Sequence, residues 1–137
     1  MRNSESILMV EDDQVDALTV KRVLQEIKVG NQLDIVKDGE EALAYLRDPA
    51  RGKPGIILLD LNMPRMNGIE FLKIAKKDDK LKMIPVVVLT TSRGEQDKID
   101  SFNLGVAGYM IKPVDYQKFI EIISAIDRYW TLSELPD

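Results

Sequence analysis

The chain has 137 residues, 45% hydrophobic and 31% charged, with a formal charge of −4 and a pI near 5.0. That length fits one domain over 1–137 with no separate output domain, and the acidic balance argues against direct nucleic-acid binding, which needs clustered Lys and Arg. With no Cys and no His, disulfides, thiolate metal sites and imidazole bases are excluded, so any chemistry must use carboxylates, hydroxyls, lysines and backbone.

The opening MRNSES lacks the apolar core of a signal segment, and no run of about 18 apolar residues follows, so the expectation is a cytoplasmic protein that makes no membrane contact. The first apolar run, Ile7–Val10, ends at Glu11 and Asp12. A helix is predicted next, from an apolar stripe at Leu18, Val20, Val23, Leu24 and Ile27. A second run, Leu33–Val36, precedes a helical segment between Gly39 and Arg47. The third, Ile56–Leu59, ends at Asp60 and leads to a helix between Gly68 and Lys77. The fourth, Val86–Leu89, ends at Thr90, and a helix is predicted between Glu95 and Leu104. The fifth, Val106–Ile111, ends at Lys112, and Phe119, Ile120, Ile122, Ile123 and Ile126 stripe the last helix. Thr131–Asp137 reads as a tail.

Five strand–helix units predict an α/β protein with a doubly wound parallel sheet. The third and fourth runs are apolar at every position, as strands buried on both faces are, so helices should cover both sides. Ligand chemistry in such a sheet lies beyond the carboxyl ends of the strands. Glu11, Asp12, Asp60, Thr90 and Lys112 would all fall on that rim. A lone acid there more often caps the following helix, as Asp12 or Asp13 could. It is the joint occurrence at four strand ends that argues for a site. If the first and third strands are neighbours, three carboxylates converge and need a proton or a cation to relieve their repulsion. Oxygen ligands select a hard ion, Mg²⁺ or Mn²⁺. Beside such an ion Asp60 can act as a nucleophile toward phosphorus, with Lys112 and Thr90 binding phosphoryl oxygens. Gly68 and Pro64 are read as loop geometry rather than chemistry.

The blocks ILMVEDD, IILLDLNMPRMNG, PVVVLTTS and GVAGYMIKP together resemble the signature segments of response regulator receivers, and the likeness runs from Ile7 to about Tyr129. It implies a flavodoxin-like sheet of order 2-1-3-4-5. It also implies roles: Asp60 as phosphoacceptor, Asp12 as a direct metal ligand, Glu11 as a ligand through water, and Asn62 as a backbone-carbonyl ligand. Thr90 and Tyr109 resemble the switch pair and Lys112 the phosphoryl-binding lysine, with a cis Lys112–Pro113 bond. Taken without the resemblance, Tyr109 reads equally well as core. The opening VEDDQVDALTVKRVL, the segment KKDDKLKMIPVVVLTTS and the end RYWTLSELP are similar to single-domain receivers that work with phytochrome histidine kinases. Glu11 departs from the family's commoner Asp.

The expected function is therefore a single-domain response regulator, phosphorylated by a partner sensor histidine kinase and limited as an enzyme to self-phosphorylation and self-dephosphorylation. Two alternatives are a metal-dependent phosphohydrolase and an unphosphorylated receiver-like interaction module. Against the first, Asn62 stands where a hydrolase would carry its acid/base carboxylate. Against the second, no site residue is missing. A homodimer is also expected, built on the fourth and fifth helices, the fifth strand and the tail, because Tyr129, Trp130, Leu132 and Leu135 cluster apolar bulk at the chain end.

Overall fold

The computed structural model describes residues 5–135. Strands β1 (Ile7–Val10), β2 (Leu33–Val36), β3 (Ile56–Leu59), β4 (Val86–Thr90) and β5 (Gly108–Ile111) alternate with helices α1 (Gln14–Glu26), α2 (Gly39–Arg47), α3 (Gly68–Ala75), α4 (Glu95–Asn103) and α5 (Tyr116–Leu132). All strands are parallel, in the order β2-β1-β3-β4-β5, as expected. The fourth strand gains Thr90, and the fifth begins two residues late at Gly108.

Alternation along the strands sorts their side chains onto two cores. Leu8, Val10, Ile57, Leu59, Val86 and Val88 face Leu43, Leu46, Phe71 and Leu72 of α2 and α3. Ile7, Met9, Ile56, Leu58, Val87 and Leu89 face Val20, Val23, Phe119 and Ile123 of α1 and α5. The three inner strands are buried throughout, whereas β2 and β5, at the edges, are only partly covered.

Three expectations are corrected. Leu18 is 58% exposed, and Ala17 takes the inward place beside Val20 and Leu24. A spacing of three then four residues keeps 17, 20 and 24 in phase, and residue 18 lies a further 100° around the helix. The last helix extends through Thr131 and Leu132 into the segment expected to be a tail. Within it Trp130 is 1% exposed and belongs to the α1/α5 core, not to an outer surface. Its ring lies over Gly55, where any Cβ would collide with it. The physical cause is periodicity, since Phe119, Ile123, Ile126 and Trp130, the buried residues of α5, continue one stripe at steps of four, three and four.

Candidate functional site

The rim of the sheet is set by register. Val10 pairs with Leu59, so the chain leaves β1 and β3 side by side, and the Asp60 amide donates to the Val10 carbonyl at 3.1 Å. Thr90 pairs with Ile111, and the Lys112 amide donates to the Thr90 carbonyl at 2.8 Å. Glu11, Asp60, Thr90 and Lys112 are thereby fixed by backbone before any side chain interacts.

Acidic oxygens of Glu11, Asp12 and Asp60 lie within 4.8 Å of one another. Glu11 and Asp60 are buried and Asp12 is exposed. An all-carboxylate set of this kind suits a hard divalent cation, and the cluster is too tight for three bare charges. Burial raises the Glu11 carboxyl from 4.5 to about 8; contact with Lys112 opposes the rise and the Asp60 charge adds to it. The residues present therefore fit a cation that would replace the Glu11 proton. Asp13 takes the structural role instead, capping α1 by accepting from the amides of Val15 and Asp16 at 2.9 and 3.1 Å.

Lys112 closes the site. Its side chain is 5% exposed, and Nζ lies 2.5 Å from Glu11 Oε1, 2.8 Å from Asp16 Oδ2 and 3.3 Å from Asp60 Oδ2. Burial disfavours its charge, but hydrogen bonds to Asp16 and Glu11, with the Asp60 charge, outweigh this and hold its pKa above the ordinary lysine value. The Lys112–Pro113 bond is trans rather than cis. Trans is the lower-energy isomer of an X-Pro bond, and Lys112 reaches the carboxylates from it. The Asn62 amide donates to Asp60 Oδ1 at 3.3 Å, which keeps that loop residue against the Asp60 carboxylate.

Thr90 is fully buried, its Oγ1 accepting from the Ser92 amide at 3.3 Å. The Tyr109 hydroxyl donates to the Ser92 carbonyl at 2.9 Å. Tyr109 pairs with Val88 in register, so it and Thr90 point to the same face of the sheet, linked through Ser92. The residue that sequence reasoning missed is Asp16. Its signal was there to find, because in a helix starting at Gln14 it lies one turn beyond Asp12 and on the rim side of the first turn.

Residues 7–124 match the response regulator receiver domain family. The response regulator Rcp1 of Synechocystis is 38% identical over 128 residues, 90% of this chain and 87% of that protein. Among solved structures, the phosphorylated cyanobacterial phytochrome response regulator RcpA superimposes with a TM-score of 0.89 at 38% identity, covering 97% of this chain and 99% of that one. The Mn²⁺-bound form of Rcp1 gives 0.88 at 37% identity, covering 97% and 99%.

Proposed function

Since the chain belongs to the response regulator receiver family, and so is a phosphorelay receiver akin to phytochrome response regulators, we propose that Asp60 accepts the phosphoryl group from a phytochrome-type sensor histidine kinase. The observation that carries this reading is the contact of Asp60 with Lys112 at 3.3 Å inside the cluster of three carboxylates. An Asp60 oxygen forms the new O–P bond as the N–P bond to the donor imidazole breaks, and the departing imidazole keeps the electron pair and takes a proton. Lys112 and the Thr90 hydroxyl bind the phosphoryl oxygens. Glu11, Asp12, Asp60 and the Asn62 carbonyl would hold Mg²⁺ or Mn²⁺, which when bound offsets charge between the two anions. The Mn²⁺-bound Rcp1 relative supports that metal class.

In this proposal the phosphoryl group draws Thr90 inward and Tyr109 follows it, shifting the population between two packings of the β4–β5 edge. Catalysis is confined to self-phosphorylation and self-dephosphorylation. The comparisons favour neither the phosphohydrolase nor the unphosphorylated module. No helix among the described residues is long and apolar enough to cross a membrane, and we place the domain in the cytoplasm. A homodimer remains part of the proposal on a revised surface: Ile99 and Phe102 on α4, with Tyr129 and Leu132 on α5, are exposed.

The test is intact mass after acetyl phosphate treatment with Mg²⁺. Wild type should gain one acid-labile phosphoryl group and Asp60→Asn none, because the amide keeps the shape and lacks the nucleophile. Equal labelling of the two proteins would overturn the assignment.

A further inference from the structure

An ammonium group has three N–H donors. Lys112 donates to Asp16 Oδ2 at 2.8 Å and to Asp60 Oδ2 at 3.3 Å, and its Nζ also lies 2.5 Å from Glu11 Oε1. The Glu11 contact occupies the remaining side of the ammonium. A phosphoryl oxygen on Asp60 must therefore compete for Lys112 with groups already seated on it, and the three differ in what release would cost. The Glu11 side chain is fully buried, with Oε2 already accepting from the Asp13 amide at 3.2 Å, so it has no path by which to turn out to water. Asp60 is the acceptor itself. The Asp16 side chain is 26% exposed, on the first turn of α1, and water can replace the lysine there at small cost.

We propose that Asp16 is the resting counter-ion of Lys112 and is displaced from it by the phosphoryl group, so that Asp16 weakens the hold of the domain on phosphoryl. This deepens the reading of Asp60 as acceptor and rests on it. Asp16 touches neither acceptor nor phosphoryl in this account. It acts through Lys112 as a positioning residue, and the exchange is one of ion pairs with no bond broken. The anion must compete with a carboxylate that is covalently part of the domain and already seated at 2.8 Å. Removing the charge removes the competitor, and Lys112 then has one donor free before the anion arrives.

Beryllofluoride, which mimics a phosphoryl group on a carboxylate, separates the possibilities when its binding is followed by fluorine NMR at saturating Mg²⁺. Asp16→Asn should bind it about tenfold more tightly than wild type, the scale of one charge-assisted contact partly screened by solvent. The gain should persist at about 0.5 M salt, because a short contact is screened far less than a distant field. The nitrogen-15 signal of Lys112 Nζ should differ between the two free proteins and coincide in the two complexes, where Asp16 has been released in both. Asp16→Ala should give the same direction of change. Unchanged or weaker binding by Asp16→Asn, a gain that disappears in salt, or Lys112 signals that stay different in the complexes would overturn the inference alone. Failure of wild type to bind beryllofluoride would overturn the phosphoacceptor reading, and this inference with it.

Discussion

Glu11 shows how much a single buried acid can decide. Burial lifts its carboxyl to about 8 from an ordinary 4.5, so the native metal-free domain holds that proton more tightly than the unfolded chain does. The sign follows from linkage: the contribution is complete below about pH 4.5, declines as pH rises, and is gone above about 8. In chelator, the melting temperature of wild type should therefore fall between pH 6 and 8.5, and that of Glu11→Gln should stay nearly flat. Metal binding needs the carboxylate, so Mg²⁺ affinity should climb with pH up to about 8, by at most about tenfold per unit. Parallel melting curves for wild type and Glu11→Gln would show that Glu11 is not the group responsible. The identity of this acid was legible in the sequence, because an apolar run followed by acids marks a strand end. Its protonation was not, since that depends on Lys112 and Asp60 arriving from 101 and 49 residues away along the chain.

The element that presents Asp60 is held by a close approach of backbone to backbone. Gly68 begins α3, and its amide donates to the Leu61 carbonyl at 3.0 Å, folding the loop back on the end of β3. A Cβ at position 68 would stand 2.6 Å from the Asp60 carbonyl oxygen and 2.8 Å from Leu61 Cα, backbone atoms that cannot rotate aside. Gly68→Ala should therefore cost about 1–3 kcal/mol in denaturant melts, and it should slow phosphorylation because Asp60 moves with its own carbonyl. A substitution that melts and reacts like wild type would show that the loop has room. The sequence marks Gly68 as a site of a close turn or close helix packing without showing what it approaches. The helices show the same limit. Periodicity locates α1 but places Leu18 inward, although it lies out of phase with Ala17, Val20 and Leu24. Strand ends located the rim acids, but Asp16 escaped because it reaches the rim from a helix.

At the scale of the whole molecule, the order β2-β1-β3-β4-β5 brings β1 and β3 together, and the five apolar runs made that sheet legible. The chain end was harder, because aromatic residues there suit either a partner or the domain's own core. The core takes Trp130, which is 1% exposed, so Trp130→Ala should cost about 3–5 kcal/mol and report on folding rather than on association. Self-association has to be probed at side chains the fold does not use. Leu132 is 75% exposed and Phe102 55% exposed, and replacing either with Glu should change stability by no more than about 0.5 kcal/mol. If α4 and α5 form the dimer face, a buried and unpaired carboxylate at either position disfavours pairing in both copies at once, since a two-fold interface uses each surface twice. Leu132→Glu and Phe102→Glu should then sediment as monomers at micromolar concentrations at which wild type sediments as a dimer, with phosphorylation unchanged. A wild type that sediments as a monomer both with and without beryllofluoride would reject the dimer, and a dimer that survives both substitutions would move it to another face.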